Sequence, residues 1–330
     1  MSAPVSIDSI IPEMPALFDR SDWGRIRLTG ADRVRFLHNQ TTNNIETLSP
    51  GQGCHTVFVT STGRTIDLAT VYLSEASLLV VVSPGMAKQL YEWMDRYIFF
   101  SDKVALKDET EETFLFTLLG DGADDVLKAV GADAVVGQDA FTHQSIAIAD
   151  VSGPVEVAVG SDLAAPGYTF WGARDDADAV KTALTSAGAS VGTAQQWERL
   201  RIQQGRPMPA AELTDDDNPL EAGLWQAISF EKGCYIGQET IARLNTYQGV
   251  KKRLWGIVLE KEVEPGTTIF CEGDKVGKLT SVMTTDEGAF GLGYVRTKAG
   301  GEGISVTLDD VKGEAIALPF VTHTYYAAGE

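Results

Sequence analysis

Apolar and polar positions alternate at period two along Arg25-Ile26-Arg27-Leu28 and stop at Gly30, which predicts a strand running into a turn. A helix then starts at Ala31 and turns Val34 and Leu37 inward. Thr65 to Leu73 and Leu78 to Val82 read as strands. Ser83-Pro84 reads as a helix start, with Met86, Leu90, Trp93 or Met94, and Tyr97 recurring at helical spacing.

A second unit begins near Thr113. Phe114 to Leu118 predicts a strand, and Gly122-Ala123-Asp124-Asp125-Val126 opens a helix, echoing Gly30-Ala31-Asp32-Arg33-Val34 in the same context. Strands follow near Ser145 to Ala149 and Val155 to Val159, then a helix over Asp175 to Ala187 with Ala177, Val180 and Leu184 on one face and Gly188 as its stop. Thr193 and Gln196 form a capping-box pattern for a helix ending at Gly205 before Pro207. Ala211 to Pro219 is polar and reads as an exposed loop. From Val250 the texture turns all-β, with turns at Pro265-Gly266, Gly273-Asp274 and Glu287-Gly288 that suit a small barrel or sandwich. Domains are expected over 1–110, 111–247 and 248–330, the first two free to interleave by exchanging strands.

Composition changes little in this picture and narrows the function. With 330 residues, 44% apolar and 22% charged, the chain has the balance of a globular protein of two or three domains. No apolar run approaches the roughly 18 residues of a membrane span. The first 19 residues lack Lys and Arg and include Asp8, Glu13 and Asp19, so neither a secretory signal nor a transit peptide is expected. The expectation is a cytoplasmic protein or a trimmed mature form. Three distant cysteines and four scattered histidines offer no disulfide framework and no metal-ligand spacing. The odd thiol count fits a reducing compartment.

Net charge is −19, a field that repels phosphate backbones. One basic island stands out between Trp225 and Trp255: Lys232, Arg243, Lys251, Lys252 and Arg253 against Glu231 and Glu239. It suits one anionic small molecule better than a duplex, so no direct nucleic-acid partner is expected.

The most informative segment for chemistry is Lys232-Gly233-Cys234-Tyr235-Ile236-Gly237-Gln238-Glu239-Thr240. Its glycines mark a tight turn before a helix. A thiol there, with Lys232 nearby, has the surroundings of a reactive cysteine; a buried thiol acting as a small hydrophobe is the alternative. Cys54 and Cys271 read as filler. Asp67 sits in a predicted strand on the face of Ala69, Val71 and Leu73. There it is either a buried carboxylate needing a donor, able to act as a base, or an edge residue reaching solvent. Trp23 and Trp197 could stack on a flat heterocycle, though core packing is commoner for such rings. No phosphate-binding glycine motif stands beside a strand.

Three stretches carry a resemblance to a known family: Asp22-Trp23-Gly24 through Asp32 to Phe36-Leu37, the Lys232 to Glu239 signature, and Val276 to Ser281 with Gly291 to Val295. The chain resembles the YgfZ family, folate-binding relatives of the glycine-cleavage T-protein. The resemblance implies an α+β fold of two ferredoxin-like units followed by a small C-terminal antiparallel β-barrel, arranged around a folate site. It implies tetrahydrofolate or a one-carbon derivative as cofactor. It also implies a role in assembling or repairing iron–sulfur clusters in selected enzymes, including tRNA-modifying radical enzymes, with such clients or assembly factors as partners. By position, Cys234 with Lys232 and Asp67 are then the candidates for chemistry. Trp23, Trp197, Gln203, Tyr235, Gly237, Gln238, Glu239 and Arg243 are the candidates for folate.

Two departures qualify the resemblance. T-protein has an Asp-Asp pair where this chain has Asp67-Leu68, which argues against ordinary aminomethyl transfer, although a tetrahydrofolate-dependent one-carbon transferase using Asp67 stays open. Relatives have Ile-Glu-Ala-Gly where this chain has Ile202-Gln203-Gln204-Gly205; an amide accepts where a carboxylate bound the pterin donors.

Overall fold

In the computed structural model, which describes residues 12–286 and 288–327, two compact bodies emerge. Among the described residues, one comprises 12–56 together with Leu68–Trp197; the other comprises Val57–Asp67, 198–286 and 288–327. Asp8 and Glu287, used in the sequence reading, lie outside the described residues.

The chain runs through β1 (Ala16–Asp19), β2 (Gly24–Thr29), α1 (Arg33–Gln40), β3 (Gln52–Val59), β4 (Thr65–Leu73), β5 (Ser77–Val82), α2 (Ala87–Asp95) and β6 (Ala105–Asp108). One sheet has the order β3-β4-β5-β2-β6. Its last four strands, taken in chain order, give the 2-3-1-4 pattern of a ferredoxin-like unit. Then come β7 (Thr113–Leu119), α3 (Ala123–Ala129), β8 (His143–Ile146), β9 (Val155–Val159), β10 (Gly167–Ala173), α4 (Ala177–Ser186) and β11 (Ser190–Val191). Their sheet has the order β11-β1-β7-β10-β9-β8. β1, from early in the chain, is inserted between β11, to which it runs parallel, and β7, to which it runs antiparallel.

The two sheets are alike at one corner. Gly30 ends β2 with φ +98° and Gly120 ends β7 with φ +110°. A Cβ on Gly30 would lie 2.0 Å from the Lys103 carbonyl oxygen, and one on Gly120 would lie 2.8 Å from that of Pro12. The segments leading into β6 and β1 press on these glycines in turn. Gly120 is thus the counterpart of Gly30, and the sequence echo of Gly30 with Gly122 is two residues out of register.

Helix boundaries follow local chemistry. α2 begins at Ala87 and not at Pro84: Gly85 takes φ +77° and the Met86 amide closes a turn onto the Ser83 carbonyl, so Pro84-Gly85 is a turn. Both halves of the capping box form at α5 (Ala194–Gln204): the Gln196 amide donates to Thr193 Oγ1 at 3.2 Å, and the Thr193 amide to Gln196 Oε1 at 2.8 Å. α6 (Gln238–Thr246) leads into the barrel.

The barrel closes as β12-β15-β14-β13-β16-β17, from β12 (Lys252–Leu259), β13 (Thr268–Cys271), β14 (Asp274–Thr285), β15 (Gly288–Arg296), β16 (Ser305–Leu308) and β17 (Val311–Ile316). Ile257, Leu259, Ile269, Leu279, Val295 and Leu308 fill it. On its outside, Leu254, Phe290, Leu292 and Tyr294 pack with Ile202 of α5 and Leu318.

The polar stretch 211–219 is not an exposed loop. Glu212 is fully buried: its carboxylate accepts from Arg201 Nη1 at 3.1 Å, Ser281 Oγ at 2.6 Å, Thr280 Oγ1 at 2.7 Å and the Met208 amide at 3.1 Å. Asp217 and Asn218 are also buried. Composition alone reads such a segment as solvated; saturated hydrogen bonding lets it go inside.

Candidate functional site

In the body that carries the barrel, the turn joining β3 to β4 is closed by the Gly63 amide on the Thr60 carbonyl and the Thr60 amide on the Arg64 carbonyl, both at 2.8 Å. Beyond it the Thr65 amide bonds the Asp217 carbonyl at 2.9 Å, extending β4 toward Asp67. Asp67 is fully buried, which selects the buried-carboxylate reading over the solvent-reaching one.

Against this turn lies the signature segment. Gly237 is the N-cap of α6 at φ +81°; a Cβ there would stand 2.5 Å from the Thr60 carbonyl oxygen and 3.1 Å from the Gly63 Cα. Gly63, at φ +73°, faces Thr240 in return. Gly237 therefore meets two demands, a left-handed backbone and a close backbone approach. Gly233 differs, since a Cβ there would meet nothing within 4 Å.

Between the glycines the side chains part. Tyr235 and Lys232 are buried, with Lys232 Nζ 4.9 Å from the Tyr235 ring centroid. Burial raises the Tyr235 phenol above its ordinary range, which keeps it protonated. Cys234 is exposed, three residues ahead of the N-cap and so outside the first turn of α6. Gln238 is half-buried, whereas Glu239 and Arg243 are exposed. Gln203 is half-buried at the end of α5. Among the described residues, neither the Gln203 amide nor the Arg243 guanidinium is engaged by another side chain.

Sequence reasoning missed what supports this segment from behind. Asn245 of α6 accepts from the Tyr326 amide at 2.9 Å and from Trp225 Nε1 at 3.3 Å, and donates to the Tyr326 carbonyl at 3.0 Å. Phe230 stacks on Tyr326 with ring centroids 5.0 Å apart, and the Tyr326 hydroxyl donates to Glu231. The residues just before Lys232 are thereby pinned by the end of the chain. A hydrophobic pattern cannot signal such a pairing, because its partners lie some 80 to 95 positions apart.

Trp23 and Trp197 belong to the other body, where they come together around a cation. The Arg20 guanidinium carbon is 3.7 Å from the Trp23 ring centroid and 4.5 Å from that of Trp197. Both rings are buried, at 2% and 8% exposure. Arg20 Nη2 donates to Asp162 Oδ2 at 2.7 Å, while Asp162 Oδ1 accepts from Thr70 Oγ1 and meets His55 Nε2, each at 2.9 Å. His55 is thus committed to Asp162.

A solved structure, the glycine-cleavage aminomethyltransferase T of Bartonella henselae, shares this fold with a TM-score of 0.81 at 19% identity, covering 99% of this chain and 92% of that one. Residues 11–232 match the model of the GCVT N-terminal domain, and residues 251–319 that of the CAF17 C-terminal β-barrel domain. A chloroplastic candidate transferase of Arabidopsis thaliana is 44% identical over 93% of this chain and 71% of its own length. The aminomethyltransferase of Halothermothrix orenii is 28% identical over 97% of this chain and 94% of its own. Fold and sequence define an aminomethyltransferase-like protein. The chain belongs to the YgfZ/CAF17 family within that class. Among the described residues no helix is long and apolar enough to cross a membrane.

Proposed function

We propose that this chain is a folate-binding accessory protein that supports iron–sulfur cluster assembly or repair in selected enzymes, tRNA-modifying radical enzymes among them, with Cys234 as its reactive group. The observation that carries the reading is the exposed Cys234 thiol, held between an open glycine and a clamped one on a segment pinned by Gly63 and Tyr326. A thiolate is both a nucleophile and a soft metal ligand. A single thiolate is only one of the ligands a cluster takes, so Cys234 would hold cargo transiently beside ligands from a client or assembly factor. No turnover reaction is assigned. The working compartment would be a reducing one, the cytoplasm, where such a thiol persists.

The donor set of this body fits tetrahydrofolate, a carrier of one-carbon units when bound. Gln203 offers a half-buried amide that no other side chain engages among the described residues, matched to the lactam edge of a pterin. Arg243 offers an exposed cation for the anionic glutamate tail. Lys232 and Tyr235 serve as the rigid floor under the Cys234 turn. The test is titration of the purified chain with tetrahydrofolate: saturable binding that Cys234→Ala retains and Gln203→Leu weakens tenfold supports this reading, and absence of saturable binding removes it.

A second reading, a tetrahydrofolate-dependent one-carbon transferase, draws on two observations. Similarity to an aminomethyltransferase runs along nearly both whole chains. Asp67 is a fully buried carboxylate of the kind that serves proton transfer.

A further inference from the structure

We infer that the cleft between α1 and the turn after α2 is a socket for an arginine side chain presented by a partner protein with a basic surface. The cleft encloses about 260 Å³ and lies within the body of Trp23 and Trp197. Phe36, Tyr97 and Phe99 wall it, and Gln40 and Asp102 supply polar atoms.

The first indication of an occupant is Gln40. Gln40 is buried, at 7% exposure, yet its Oε1 has no hydrogen-bond partner among the described residues. A buried amide oxygen left without a donor has lost its hydration with no compensating bond, so the site is incomplete as it stands. The second is charge. Asp32 is already engaged by Arg35 at 3.1 Å and by the Lys103 amide at 3.0 Å. Asp102 uses Oδ2 to accept from the Phe99 amide at 2.9 Å, which leaves Oδ1 for a cation.

An occupant must therefore donate to one buried oxygen, carry positive charge near a second, and lie flat against aromatic rings. Guanidinium meets all three conditions, because its donors fan out in a plane that stacks on ring faces. An ammonium is a compact, strongly hydrated point charge and meets the first two at most.

The mouth indicates that the arginine arrives on a protein. Phe99 and Phe100 are 71% and 109% exposed, on a turn closed by the Asp102 amide onto the Phe99 carbonyl at 2.9 Å. Two adjacent exposed rings beside an arginine pocket have the composition of an interface anchor. A net charge of −19 attracts a basic partner and repels a second copy of this chain. The inference is independent of the function proposed for Cys234.

The test follows the Gln40 side-chain amide and the Tyr97 and Phe99 backbone amides by nuclear magnetic resonance in the full chain. The probes are acetyl-argininamide, acetyl-lysinamide and the blocked peptide acetyl-Leu-Arg-Leu-amide. The socket predicts saturable shifts with argininamide, at least fivefold weaker binding of lysinamide, and tenfold tighter binding of the peptide. Gln40→Leu weakens argininamide at least fivefold, and Asp102→Asn gives the same reading should that variant not fold. Phe100→Ser removes the advantage of the peptide and leaves argininamide unchanged. Absence of saturable shifts, or equal binding of lysinamide, overturns the socket. Argininamide binding as tightly as the peptide overturns the protein partner in favour of a small metabolite. Shifts that track protein concentration without any probe point to a second copy and overturn it as well.

Discussion

Gly237 and Gly63 meet back to back, so close that a Cβ on Gly237 would stand 3.1 Å from the Gly63 Cα. This contact locks the segment bearing Cys234 to the β-hairpin that carries Asp67, and it fixes the start of α6.

Gly237→Ala must place a methyl group 2.5 Å from the Thr60 carbonyl in a left-handed conformation. The backbone penalty alone is about 1–2 kcal/mol, and the collision adds to it. Gly233→Ala meets open space and should change stability by no more than about 0.5 kcal/mol. Urea unfolding of the two variants checks the contrast.

Glu212→Ala removes the fully buried one of the two carboxylates on Arg201, leaving Glu198, and strips Ser281 and Thr280 of an acceptor. A buried hydrogen bond to a charged group is worth about 1.5–3 kcal/mol, and several are lost together. The expected result is a large fall in the urea midpoint, with Glu212→Gln falling less because its oxygen still accepts.

Burial, with Arg253 beside it, pushes His323 down to about 4. Nε2 donates to the Leu254 carbonyl at 3.0 Å, and Nδ1 is buried without a partner among the described residues, so a second proton has no acceptor. The unfolded chain takes up that proton near pH 6.5, the ordinary histidine value. Between those values the unfolded state binds more protons, so the contribution is intact above pH 6.5 and is lost as pH falls toward 4. His323→Gln keeps a donor and cannot titrate. The stability difference between wild type and this variant should narrow as pH drops from 7 to 4.5, which unfolding curves across that range measure.

Cys234 is exposed whereas Cys54 and Cys271 are half-buried, so Cys234 is expected to be the first thiol alkylated by iodoacetamide in the folded protein. Tyr326→Ala removes the ring stacked on Phe230 and should change that rate at least threefold without unfolding the chain. Peptide mapping by mass spectrometry reads both.

Much of the fold was legible because its signals are local. Thr65–Leu73 and Val155–Val159 match their strands residue for residue, and the Thr193–Gln196 box forms as its spacing predicts. Pro84 misled because the following Gly85 outweighs a proline at a helix start. The 211–219 segment misled because Arg201, Ser281 and Thr280, which allow Glu212 inside, are distant in sequence. For the site, the glycine spacing announced a turn at Cys234. Gly63, Asn245 and Tyr326 were invisible, since each acts only through a long-range contact. The tryptophan spacing gave no sign that Arg20 fills the space between the rings.

The central claim is that Cys234, and not Asp67, carries the function. Its most direct test is the activity of an iron–sulfur tRNA-methylthiolating enzyme in cells lacking this protein, complemented with wild type, Cys234→Ala or Asp67→Asn at matched protein levels. The account predicts that wild type and Asp67→Asn restore activity and Cys234→Ala does not. Restoration by Cys234→Ala with failure of Asp67→Asn would contradict it and make one-carbon transfer the better reading.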